Sequence, residues 1–267
     1  MQSNMTIKPS RPASSALAVN LAVVRAILLR DISVQTGPYG TGLIVLLLMP
    51  LGHLLAVVIV FKTFGRLPAV GTDQLVYYGV SILPFVIYVY AARQLVMALI
   101  INRQLLYFSR VKVFDILLAR GALELANSIV LSIVVILILV FFSDGFSPRD
   151  PTGFVFAIAG TIYFAFSFGV LNGLIAQVVP IWALLFNLSM PLFWISSGII
   201  FFPPAIPDPY DHWAALNPLL QCVEWIRSSY YEDYPDKLVN IPYLFAFSTA
   251  CLGISLMSEK LARRRLR

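Results

Sequence analysis

The stretch FFPPAIPDPYDHWAALNPLLQCVEWIRSSYYEDYPDK, residues Phe201–Lys237, lies between two strongly apolar runs and is itself too polar to cross a bilayer. Within it, Asn217-Pro218 reads as an N-cap followed by proline at the first helical position, where the missing N–H sacrifices no hydrogen bond. Leu219, Leu220, Val223, Ile226 and Tyr230 then recur at helical spacing, with Gln221, Glu224, Arg227 and Ser228 between them. A helix of about 14 residues is roughly 21 Å long. The hydrocarbon core is about 30 Å thick, so this helix cannot span it. The expectation is a helix that lies on the membrane surface or dips in and returns, its apolar face down.

Outward from this stretch the chain is dominated by long apolar runs. Of its 267 residues, 59% are hydrophobic and only 12% charged, which excludes an ordinary soluble domain. Six runs stand out: Leu43–Phe61, Leu75–Ile101, Ile116–Phe142, Gly153–Val179, Ile181–Phe202 and Val239–Met257. Each approaches or exceeds the roughly 20 residues of a spanning helix. They are continuous, not alternating ten-residue segments, so a β-barrel is excluded. The fold class read from sequence is an all-α membrane protein with six transmembrane helices. Residues 1–42 form a cytoplasmic tail and interfacial helix, 43–257 the membrane domain, and 258–267 a basic tail.

Six spans place both termini on one side. That side receives 14 of the 19 Lys and Arg residues and the other only Lys62, Arg66, Arg149, Arg227 and Lys237. The positive-inside rule therefore makes both termini cytoplasmic. The net charge of +6 reflects topology and gives no indication of nucleic-acid binding. The Arg263-Arg264-Arg265 cluster fits an anchor against anionic lipid.

Residues 1–13 read as a disordered tail with no cleavable signal. From Ser14 or Ser15 to about Gln35, Leu17, Leu21, Val24, Leu28 and Ile32 share one helical face, while Asn20, Arg25, Arg30 and Asp31 interrupt any full span. This is an amphipathic helix of the cytoplasmic interface, a plain anchor or a lever at a subunit interface. Gly37-Pro38-Tyr39-Gly40 turns the chain into the first span, which carries His53, expected to be a partnered structural residue. The second span is dense in aromatic residues, among them Tyr77, Tyr78, Phe85, Tyr88 and Tyr90, and ends near Arg93, which can snorkel to the cytoplasmic interface.

Asn102–Asp115, NRQLLYFSRVKVFD, is the one substantial cytoplasmic loop. It mixes Arg103, Arg110 and Lys112 with Leu105, Leu106, Tyr107, Phe108 and Phe114, more apolar surface than a solvated loop needs, and is predicted to form a short helix that docks on another protein. Arg120 and Glu124, at i and i+4 in the third span, are expected to form an ion pair. Gly169 and Gly173 make a small-xxx-small pattern that permits close helix packing. Pro180 alone separates the fourth and fifth runs, which makes their turn very tight.

The chemistry is that of transport. The chain contains no phosphate-binding loop, dinucleotide fingerprint or G-x-S-x-G elbow. His53 and His212 are the only histidines, and Cys222 and Cys251 have no metal-site spacing, so no metal is expected. Uphill movement then needs an ion gradient or an ATPase on another chain. Glu124 is the only mid-span carboxylate suited to carrying ions, which favours an external ATPase over an ion-coupled carrier.

Several stretches, taken in order, resemble the membrane subunit of type-2 ABC exporters, most closely its capsule-polysaccharide branch. They are Leu28–Ile32, Met49–Leu55, Leu105–Asp115, Ala119–Glu124, Pro191–Phe201 and Asn217–Glu224, an ordered set over about 230 residues. In that family an acid commonly precedes the proline where Met49-Pro50 stands, and the turn at Pro180 also lacks an acid. The resemblance implies a homodimer in the bacterial inner membrane, paired with two ATP-binding cassette subunits that hold the ATP and Mg. This chain itself would bind no cofactor and would not be an enzyme. It further implies a periplasmic co-polymerase or adaptor and an outer-membrane channel as partners, and a lipid-linked polysaccharide passing between protomers. O-antigen, a teichoic-acid-like polymer or a lipophilic drug are the alternative cargoes of this fold. Residues 203–237 would supply two short re-entrant external helices, one before Asn217 and one after it. The coupling helix would use Arg103, Leu106, Tyr107, Phe108, Arg110 and Lys112. Sugar C–H faces stack on aromatic rings, so Phe85, Tyr88, Tyr163 and Trp194 are expected along the pathway with Arg93, Glu224, Trp225 and Arg227. Replacing Glu224 or Arg227 by alanine is expected to impair export with assembly intact.

Overall fold

The computed structural model describes residues 16–37 and 40–264, the side chains at 16, 17, 43 and 259–264 excepted. The N-terminal tail and the side chains of the Arg263–Arg265 cluster thus lie outside the described residues. The described chain runs α1 (Ala16–Thr36), α2 (Thr41–Thr63), α3 (Gln74–Ile101), α4 (Val113–Phe142), α5 (Pro151–Val178), α6 (Trp182–Ser196), α7 (Tyr210–Ala215), α8 (Pro218–Tyr230) and α9 (Ile241–Arg264). Two 3-10 helices, Arg103–Tyr107 and Pro203–Ala205, complete it, and no strand occurs among the described residues.

Among the described residues, five segments are long and apolar enough to cross a membrane: Ile44–Thr63, Gln74–Ile101, Val113–Phe142, Pro151–Val178 and Ile241–Ser258. The run expected as a fifth of six spans is helical only over Trp182–Ser196. Those 15 residues reach about 22 Å, short of the hydrocarbon thickness. The helix stops because Gly198 takes a left-handed φ of 82°, the usual way to close a helix C-terminus, and Pro203 then packs against it. At the other end, the tight turn at Pro180 is held by the Trp182 indole, which donates to Asn172 Oδ1 of α5 at 2.9 Å.

Helix α3 is the axis of the bundle. It packs against α2, α4, α5, α6 and α8, and most of its residues are buried. Its start is fixed by Asp73, whose Oδ1 accepts from the backbone N–H of Leu75 and Val76. Helix α5 lies directly against α3, and its small residues make that possible. A Cβ on Gly173 would sit 2.8 Å from the Leu95 carbonyl oxygen, and one on Gly169 would sit 3.0 Å from Ala92 Cα. Because apolar burial gains little between helices in lipid, this backbone-level approach is where packing energy comes from.

Helix α1 packs on α4. Ile27 and Asp31 are buried and Val24 and Leu28 pack beside Ile27, whereas Leu21, Leu29 and Ile32 are exposed. Asp31 faces inward toward its cationic partners Arg30 and Arg120. Helix α8 is enclosed by α3, α5 and α9, with Gln221, Glu224 and Arg227 buried alongside Leu219, Val223 and Ile226.

Candidate functional site

Helix α8 begins as its sequence predicts: Asn217 Oδ1 accepts from the Leu219 N–H at 3.0 Å, with Pro218 at the first position. The Asn217 amide also donates to the Ser196 carbonyl at 3.0 Å, seating the start of α8 on the end of α6. Burying its polar residues demands partners, and they come from distant sequence. Gln221 donates to the carbonyls of Ala215 and Leu238 and accepts from Asn240 N–H. Glu224 pairs with Arg227 at 3.4 Å and accepts from the Tyr234 hydroxyl at 2.6 Å. Arg227 Nε donates to Ser81 Oγ of α3 at 2.7 Å, and its guanidinium lies 4.8 Å from the Tyr77 ring centroid. Ser81 is eight residues beyond Asp73, so this contact lies about 12 Å along α3. Trp225 is accommodated by Gly160 of α5, where a Cβ would meet the indole at 2.5 Å.

The residues predicted along a pathway fall into separate places. Phe85, Arg93 and Trp194 come together in a groove of about 410 Å³ between α2, α3 and α6, with His53, Tyr90 and Met190 completing its walls. His53 meets Phe85 edge-on with ring centroids 5.6 Å apart. Arg93 is exposed at this groove, so a guanidinium and three aromatic walls share one opening. Tyr88 points elsewhere and is sealed in the core, stacked on Phe164 at 5.2 Å. Tyr163 lines a second cavity of about 380 Å³ formed by α3, α4 and α5, and its hydroxyl meets Thr249 at 3.0 Å. Trp225 borders a third, of about 520 Å³, near the starts of α5 and α9. Glu224 and Arg227 are enclosed as described.

The Asn102–Asp115 loop contains a short helix, of the 3-10 type, over Arg103–Tyr107. Tyr107 and Phe108 are 80% and 64% exposed, large apolar surface outside the bundle. Behind the loop, Arg120 and Glu124 form the expected ion pair at 2.8 Å. Asp208, Asp211 and His212 bring three ligand-type atoms within 4.8 Å of one another, but Lys237 Nζ occupies the acids, 3.1 Å from Asp208 and 2.7 Å from Asp211.

Proteins similar to this chain along nearly its whole length are named for capsule export. A capsule polysaccharide export inner-membrane protein of Neisseria meningitidis serogroup B, CtrC, is 28% identical over 251 residues, 91% of this chain and 93% of the relative. The chain is similar over nearly its whole length to proteins named as capsule polysaccharide export inner-membrane proteins. BexB of Haemophilus influenzae, similarly named, is 26% identical over 250 residues, covering 92% of each chain. The polysialic acid transport protein KpsM of Escherichia coli is 26% identical over 246 residues, 91% of this chain and 95% of the relative. No protein-family model matches.

Sequence reading missed His53 and Tyr90 as groove walls, and Ser81, Tyr77 and Tyr234 as partners of the α8 ion pair. The helical period could have placed Ser81 on a different face of α3 from Arg93, about 120° around the helix. Nothing local in the chain pairs it with Arg227.

Proposed function

We propose that this chain is the permease subunit of an ATP-driven, type-2 ABC transporter that exports lipid-linked capsular polysaccharide across the bacterial inner membrane. The observation that carries this reading is the near full-length similarity to proteins named for capsule polysaccharide export in the inner membrane. The protein is a multi-pass inner-membrane subunit, with both termini in the cytoplasm. The α6 run together with residues 197–202 serves as the sixth crossing, and α7 and α8 as a re-entrant hairpin from the outer side. Two copies assemble across the exposed apolar faces of α2 and α6, which flank the groove of Phe85, Arg93 and Trp194. Polymer slides along that groove by many weak stacking contacts, while Arg93 meets its acidic groups. Tyr88, Tyr163, Glu224, Trp225 and Arg227 hold the walls from behind.

The exposed segment carrying Arg103, Leu106, Tyr107, Phe108, Arg110 and Lys112 receives two ATPase subunits, which hold the ATP and Mg. A periplasmic adaptor and an outer-membrane channel continue the route. Deleting the gene tests the reading: capsular polymer is expected to accumulate in the cytoplasm and to vanish from the surface. A normal capsule with no accumulated polymer overturns it. Replacing Trp194 by alanine in the reconstituted complex should lower export without preventing assembly.

A further inference from the structure

Two adjacent residues of α1 reach the entry of the exposed 103–112 segment and the second turn of α4 beyond its exit. Asn102 is the joint at its entry: its N–H donates to the Ala98 carbonyl and closes α3, and its own carbonyl accepts from Leu105 N–H and opens the 3-10 helix. The Asn102 side chain is buried, and its Oδ1 accepts from Arg30 Nη2. Arg30 is in turn fixed by Asp31, at 2.6 Å from Nη2 and 3.1 Å from Nε. The exit of the segment is α4, which starts at Val113 with Asp115 accepting from the Lys112 N–H at 2.8 Å. On α4, Arg120 lies 4.0 Å from the second carboxylate oxygen of Asp31 and 2.8 Å from Glu124, which also accepts from Asn127 at 3.3 Å.

We infer that Arg30 and Asp31 are positioning residues that lock α1 to the entry of the 103–112 segment and to α4 just beyond its exit, so that the segment and α1 move as one body. The inference rests on the proposed docking of an ATPase at that segment. Two cations and two carboxylates form this cluster, with Asp31 and Glu124 almost fully buried. Partnered charges in such surroundings adopt few arrangements, because separating them leaves an uncompensated buried charge. Leu105, Leu106 and Val111 of the segment also pack on the apolar cluster that includes Ile27, and the charges fix α1 in register with that packing. With the charges in place, a push on Tyr107 or Phe108 displaces a 21-residue helix lying across α4. The charged residues that interrupt the apolar pattern of α1 therefore act as attachment points.

The test uses Arg30→Gln, because the Arg30 side chain is 41% exposed and its loss leaves no buried cavity. In the purified full chain, hydrogen–deuterium exchange of the 103–112 amides should accelerate about tenfold, the scale of losing one charge-assisted hydrogen bond, with exchange in α9 unchanged. Arg30→Lys, which keeps the charge but loses the fork, should fall between. Reconstituted with the ATPase, Arg30→Gln should keep its melting temperature and hydrolyse ATP, while polymer exported per ATP drops severalfold. Unchanged exchange over 103–112, or unchanged export per ATP in both Arg30→Gln and Asp31→Asn, overturns the inference. If the exchange of 103–112 responds but the wild-type chain binds no ATPase, the positioning stands and the docking reading fails.

Discussion

Arg227 of α8 donates to the Ser81 hydroxyl of α3 across 2.7 Å, joining residues 146 positions apart at a point where both are wholly buried. This bond, with the Glu224 pair behind it, makes α8 an internal pillar of the bundle.

Arg227→Met should therefore unfold the protein before it affects transport. It leaves Glu224 buried without its cation, a loss of about 3–5 kcal/mol. The melting temperature of the detergent-purified chain is expected to fall sharply, and the Glu224→Gln/Arg227→Met pair to recover part of it. This revises the expectation that such variants would assemble normally and fail only in export. A single variant melting with wild type would return the pair to a purely functional role.

Gly173→Val should cost more than any other glycine substitution in α5 that meets only a side chain. Its Cβ would press on the Leu95 carbonyl, and backbone cannot swing away. Overpacking of this kind costs about 1–3 kcal/mol or more. Gly253→Ala is the control, since nothing lies within 4 Å of its Cβ. There, alanine should stabilise α9 by up to about 1 kcal/mol through helix propensity. Parallel thermal melts of the two variants decide the matter.

Lys237 beside Asp211 holds that carboxyl down to about 2, from an ordinary value of 3.8. The folded value lies below the unfolded one, so the ion pair stabilises fully above about pH 4, and the contribution disappears as pH falls through about 2. Asp211→Asn should accordingly lower the melting temperature by a constant amount from pH 7 to pH 4, and the gap from wild type should close by pH 2. A gap that persists at pH 2 would assign the effect to packing.

Phe108→Ala should leave the isolated chain as stable as wild type, because the side chain is largely exposed. Its association with the ATPase should weaken by roughly tenfold or more, the range of an aromatic anchor. Co-purification from a strain expressing both subunits measures this. Equal recovery would remove Phe108 from the docking surface.

Much of the architecture was legible in the chain. The N-cap at Asn217, the ion pair of Arg120 with Glu124, the close approach at Gly169 and Gly173 and the short helix after Asn102 follow from spacings of at most four residues, and the structure contains each of them. Misreadings arose where one residue type has two lawful environments. Leu21 and Ile32 lie exposed, while Val24 and Leu28 of the same helical face pack against the bundle. In a membrane protein both lipid and core accept an apolar side chain, so periodicity finds a face without saying what it meets. Aromatic residues carry the same ambiguity: Phe85 and Trp194 line a groove, while Tyr88, three residues from Phe85, is sealed in the core.

The sequence by itself determined that this protein is built of apolar helices and where most of them begin and end, because these depend on composition and local spacing. Tertiary structure alone decided the position of α8. Read locally, Phe201–Lys237 is a polar segment with a helix too short to span, and nothing in it names partners for its charges. Inside the fold, Ser81, Tyr77 and Tyr234 compensate Arg227 and Glu224, so those charges can be buried. Partners that distant in the chain become neighbours only once α3 and α5 have packed.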